Sequence, residues 1–62
     1  MFIMVMTNTR ENIFQGDAED YLAMQDYDEE ITEILNFLES PKNPYIVKYT
    51  DLIIMRCKDE NY

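Results

Sequence analysis

The sequence predicts a small α+β domain, two to four short antiparallel strands with an acidic helical segment packed on one face. Three observations carry this. Residues 2–6, Phe-Ile-Met-Val-Met, are a short continuous apolar run. Residues 17–40 hold no Gly or Pro, and Ile31, Ile34, Leu35 and Leu38 recur at the i, i+3, i+4, i+7 spacing of one helix face. Residues 45–57 alternate with period two and are rich in β-branched and aromatic side chains.

Each element follows from local chemistry. The run at 2–6 reads as a strand buried on both faces, because no polar residue interrupts it. Residues 7–12 are polar and turn-like, residues 13–15 suit a short second strand, and Gly16, the only glycine, punctuates the chain. Asp17 is a good N-cap for a helix starting at residue 18, with Glu19 and Asp20 in a first turn where the helix dipole favours acids.

The helical region, about 17–39, has two readings. Extending the apolar stripe backwards adds Tyr27, Met24 and, less well, Tyr21, which gives one long helix. The other reading breaks it near residues 26–28, with Asp28 capping a second helix and Glu29 and Glu30 in its first turn. The broken form is preferred, since Asp-Tyr-Asp is weak helix sequence. Pro41 and Pro44 end the region either way.

In the C-terminal segment, about 45–57, Tyr45, Val47, Tyr49, Ile53, Met55 and Cys57 share one face if the segment is a single strand. A hairpin turning at Thr50-Asp51 is the alternative, although Thr-Asp is not a favoured two-residue turn. The tail, residues 59–62, is polar and expected to fray.

Size and composition bound the function. Sixty-two residues make one domain, with a core worth only about 3–5 kcal/mol. Cys57 is the only cysteine and there is no histidine, so an intrachain disulfide and His/Cys metal sites within one chain are excluded. Packing, self-association or docking on another protein must stabilise the chain. Residues 2–6 are too short for a signal-peptide core, and nothing approaches the length of a membrane span. A cytoplasmic protein is expected, in the host cytoplasm if the gene is a phage's. Phe, Tyr, Met, Ile, Asn and Lys supply 28 of the residues while Gly, Ala, Arg and Pro supply seven, the bias of an AT-rich gene.

Charge is the most specific feature. Residues 11–41 hold ten carboxylates and no lysine or arginine, within a net charge of −8. Such a field repels nucleic acid and anionic membrane and attracts a basic protein surface. At 100° per residue, Glu19, Asp26, Glu29, Glu30 and Glu33 fall within an arc of roughly 100° opposite the apolar stripe. On a continuous helix they would form a ridge of about 21 Å at 1.5 Å per residue, a length compatible with a phosphate backbone. The plainer reading is a solvated outer face. Against it stands the absence of compensating bases: a solvated helix usually gains i, i+4 ion pairs, whereas here those neighbours repel.

Other chemistries are weaker. Asp26-x-Asp28-x-Glu30 resembles the start of a calcium loop, but Ile31 and Phe37 occupy the positions that need Gly and Glu. Carboxylate catalysis needs a shaped cleft that so short a chain has little room for. Cys57 has no histidine to activate it, and one glycine cannot build a phosphate loop. No enzyme activity and no cofactor are expected. Lys48, Arg56 and Lys58 are the only basic cluster, too thin for direct nucleic-acid binding against the net charge; strand-edge protection is their simpler role.

In charge and size the chain resembles the small acidic inhibitors that phages make against host or defence proteins, several of which mimic nucleic acid. The resemblance implies a non-enzymatic inhibitor that occupies the basic groove of a DNA- or RNA-binding protein. Glu19, Asp26, Glu29, Glu30 and Glu33 would act as phosphate surrogates, with Tyr21 and Tyr27 as aromatic anchors. The alternative is a small structural, regulatory or antitoxin-like module acting by homodimerisation or by β-strand pairing through residues 2–6 or 46–55.

Overall fold

A computed structural model describes residues 1–58; the tail at 59–62 lies outside the described residues. The chain runs β1 (Phe2–Thr7), β2 (Asn12–Asp17), α1 (Ala18–Met24), α2 (Glu29–Glu39), β3 (Ile46–Tyr49), β4 (Leu52–Cys57). The strands form one antiparallel sheet in the order β2-β1-β4-β3. This is the α+β domain the sequence predicts.

Strand register sorts the side chains into two faces. Val5 pairs with Phe14 and Ile54, Ile3 with Gly16 and Arg56, Ile54 with Val47, and Leu52 with Tyr49. Ile3, Val5 and Ile54 from this face join Ala18 and Tyr21 of α1 and Ile31, Leu35 and Leu38 of α2 in a single buried cluster. The i, i+4, i+7 spacing of the α2 residues is what aims them at the sheet together. Tyr21 packs on Phe14 with the rings tilted by 45° and their centroids 5.0 Å apart. Gly16 leaves room for that ring, since an added Cβ would sit 3.2 Å from Phe14 Cζ.

The helical region is broken, and the stop is fully built. The amide of Tyr27 donates to Leu22 O at 2.9 Å and that of Asp26 to Ala23 O at 3.1 Å, the crossed pair that closes a Schellman motif. Asp26 and Tyr27 are both left-handed, with φ of 56° and 55°. Asp28 then caps α2, its carboxylate accepting from the amides of Glu30 at 2.9 Å and Ile31 at 3.1 Å. Asp17 caps α1 by accepting from the Glu19 amide at 2.9 Å. Both caps are as the sequence predicts. The backward extension of the apolar stripe is corrected: after the break Met24 and Tyr27 are 64% and 61% exposed.

The C-terminal segment is a hairpin turning at Thr50-Asp51, not one long strand. A two-residue turn pairs Tyr49 with Leu52, so the alternation changes phase there. Val47 and Tyr49 therefore lie on the helix side, while Ile53, Met55 and Cys57 lie on the other, and the single-strand grouping of Tyr45, Val47 and Tyr49 with Ile53, Met55 and Cys57 does not hold. Thr50 adopts φ of 50°, a strained value for a β-branched residue. Its hydroxyl donates to Tyr49 O at 2.7 Å, and Asn8 joins this turn to the β1–β2 loop by donating its amide to Asp51 O at 3.1 Å.

Residues 2–6, expected to offer an edge for strand pairing, are corrected as well. β1 lies between β2 and β4, and β4 between β1 and β3, so both edges of each are already hydrogen-bonded. Among the described residues only β2 and β3 present free edges. Nor is β1 buried on both faces among the described residues: Ile3 and Val5 are fully buried, whereas Phe2, Met4 and Met6 are part-exposed and belong to no packed cluster.

Candidate functional site: the acidic helical layer

The carboxylates of the helical region do not form one ridge. The Schellman stop divides them, with Glu19 and Asp20 in the first turn of α1, Asp26 in the connection, and Glu29, Glu30 and Glu33 on α2. All are exposed. The straight alignment spanning 19 to 33 is overturned, because two left-handed residues redirect the chain between the helices. What remains is a layer of acids on two short helices. On α2, Glu29 and Glu33 are i, i+4 neighbours on the side away from Ile31, Leu35 and Leu38.

In the helical region three acids accept hydrogen bonds from local partners. Asp17 and Asp28 are helix caps. Glu30 accepts a hydrogen bond from the Tyr49 hydroxyl, which ties α2 to β3. That bond, helped by some burial and by the nearby charges of Glu30 and Asp28, pushes the Tyr49 phenol up to about 12. Sequence reasoning missed this link. The signal for it is Tyr49 on the helix-facing phase of β3, visible only once the hairpin is chosen over the long strand.

The link gives a titration prediction. A phenol that holds its proton more tightly in the folded chain stabilises the fold below its unfolded value near 10. That contribution is lost as pH rises from 10 through about 12. Following tyrosinate absorbance against pH, Tyr49→Phe should remove the latest-titrating component, and Glu30→Gln should move it back towards 10. An unchanged late component in Glu30→Gln would refute the assignment.

The two tyrosine anchors separate. Tyr27 projects from the helix connection and is largely exposed. Tyr21 is 3% exposed, its phenol raised by burial, and its ring packs against Phe14. A ring in the core offers no surface to a partner, so Tyr21 is corrected from anchor to core residue. The i, i+3 spacing within α1 carries Ala18 and Tyr21 inward together, and the all-helix wheel blurred that placement.

Arg56, grouped by sequence with the basic residues, has a structural task. Its Nη1 donates to Leu38 O at 2.6 Å and Ser40 O at 3.1 Å. Asn43 Nδ2 donates to Phe37 O at 2.9 Å. Together they satisfy carbonyls that the end of α2 leaves open, and the guanidinium supplies positive charge to a last turn with no base of its own.

A groove of about 130 Å³ lies between the two helices, floored by Met1, Ala18, Leu22 and Leu35 and flanked by Glu19 and Glu39. Ligand pockets commonly run to roughly 300–1,000 Å³, so it is small for an organic substrate. Among the described residues no cluster of three or more potential ligands gathers around a metal position, and no helix is long and apolar enough to cross a membrane. Comparison with protein-family models, with curated proteins and with solved structures finds no match.

Proposed function

We propose that this chain is a non-enzymatic, protein-binding inhibitor whose acidic helical layer stands in for nucleic acid on the basic surface of a DNA- or RNA-binding protein, in the cytoplasm of its host. The supporting observation is a one-sign surface: Glu19, Asp20, Asp26, Glu29, Glu30 and Glu33 are all exposed, and no base lies between residues 11 and 41. Carboxylates at i, i+4 repel one another, and a chain with so small a core gains nothing in stability from that. Facing a basic groove, the same charges accelerate encounter and are neutralised on docking. Tyr27 adds an exposed ring inside the layer, held out by left-handed backbone at two consecutive non-glycine residues. Such backbone is costly and concentrates at functional positions.

The test is a pull-down from bacterial lysate with the tagged chain, eluted with rising salt and then with competing DNA or RNA. A captured nucleic-acid-binding protein should be released by nucleic acid. The triple variant Glu19→Lys, Glu29→Lys, Glu33→Lys, which spares the Glu30 bond to Tyr49, should capture at least tenfold less of it while keeping the wild-type far-UV spectrum. A partner that resists high salt, ignores nucleic acid and still binds the triple variant would overturn the proposal.

A further inference from the structure

The helices cover one side of the sheet only. On the other, register places Phe2 beside Cys57, Met4 beside Met55 and Met6 beside Ile53, with Ile46 next to Met55 on the outer strand. None of these seven side chains belongs to the buried cluster or packs against it. Ile46 is 43% exposed and the other six are part-exposed. Among the described residues no element lies over them: the helices contact β2, β3 and β4 through the opposite face. β1 thus has the composition of a strand buried on both sides but is covered on one.

We infer that this open face is a self-association surface, on which a second copy of the chain docks sheet to sheet. Size is the first argument. Four strands about 4.8 Å apart and up to six residues long give a flat footprint of roughly 400 Å². Corrugated by Phe, Met and Ile side chains, two such faces bury on the order of 1,000 Å², where specific interfaces begin. An apolar patch of a few hundred Å² is also about as large as soluble monomers usually leave open.

Charge selects the occupant. The helical acids ride on the far side of the sheet, so two copies meeting through this face keep their acidic layers apart on the outside. On the strands, register gives this face one charge, Lys48, level with Met6 at its margin, and β2 adds the polar Gln15 level with Met4; the Asp17 carboxylate is turned to the Glu19 amide as the cap of α1. The centre of the face is uncharged, so a second copy can meet it apolar patch to apolar patch, as an isologous interface requires. This inference is independent of the inhibitor reading, because it uses the opposite side of the molecule.

The experiment is sedimentation equilibrium on the full chain over a dilution series from about 1 mM to 1 μM. The expected result is a species of twice the chain mass that dissociates on dilution. Met4→Lys and Met55→Lys, at the centre of the face, should each weaken association at least tenfold with the far-UV spectrum unchanged. A wild-type chain that stays monomeric at 1 mM overturns the inference. Should the lysine variants unfold, isotope-filtered NOEs on a mixture of labelled and unlabelled wild-type chain decide. Contacts between copies among Phe2, Met4, Met55 and Cys57 support it, and contacts confined to the helices or to the β2 and β3 edges overturn it.

Discussion

Leu38→Ala is expected to leave the chain largely unfolded at micromolar concentration and room temperature. Among the described residues Leu38 is one of four large side chains that are fully buried, with Ile3, Val5 and Ile54. Truncating a buried leucine typically costs about 2–5 kcal/mol, the spread reflecting how far the cavity collapses. A core of this size supplies only about 3–5 kcal/mol in total. The cost therefore matches the whole stability, and relaxation has little room to reduce it, because Leu38 lies under α2 against the central strands. Urea denaturation followed by circular dichroism would show it: the wild-type transition should vanish into the pre-transition baseline. Leu38→Met, which keeps most of the volume, should cost less than about 1.5 kcal/mol. A cooperative transition near the wild-type midpoint in Leu38→Ala would mean that the core lies elsewhere.

Arg56→Met is the second large effect, with an expected loss of about 2 kcal/mol. The guanidinium makes two hydrogen bonds to carbonyls at the end of α2, one of them at 2.6 Å. Hydrogen bonds with a charged partner contribute roughly 1.5–3 kcal/mol each, and partly buried carbonyls left without donors add a desolvation cost. Methionine keeps the apolar stem of arginine, so packing changes little and the loss reports the head group. Lysine should recover only part of it, since an ammonium cannot present the planar fork. The local readout is amide hydrogen exchange, which should speed up in the last turn of α2 well before it does in β1. Uniform acceleration throughout the chain would instead indicate a general loss of packing.

Much of this architecture was legible in the residues. Ile31, Leu35 and Leu38 declare a helix face by spacing alone, and Asp17 and Asp28 declare their caps by chemistry. The break at residues 26–28 was also readable, because consecutive weak helix formers precede a strong cap. The phase of the C-terminal hairpin was not. Thr50-Asp51 lacks the glycine or asparagine that usually marks a two-residue turn, and the fold tolerates a strained threonine there instead. Without the turn, residues 45–57 alternate well enough as one strand to assign Ile53, Met55 and Cys57 to the wrong face. The same limit affected the candidate site. A helical wheel assumes a continuous axis, so it aligned Glu19 and Asp26 with the α2 carboxylates and fitted Tyr21 less well to the apolar stripe than the exposed Met24 and Tyr27. Which strands lie at the centre was beyond any local pattern, since strand order depends on pairings between distant residues.

That strand order has a consequence for how the chain comes together. The central pair of the sheet joins the first strand to the last, with Phe2 beside Cys57 and Thr7 beside Leu52. The two hairpins and the two helices can form from neighbours in the sequence, but none has a finished core without the β1–β4 seam. During synthesis β1 must wait, its hydrophobic side chains unpaired, until β4 has been made. Contacts of such long sequence separation slow folding relative to a helical bundle of equal length. The delay exposes an apolar strand with one of its two neighbours missing, the state in which small β proteins aggregate. The acidic middle section lies between β1 and β4 in the sequence, and its mutual repulsion keeps unfinished chains apart.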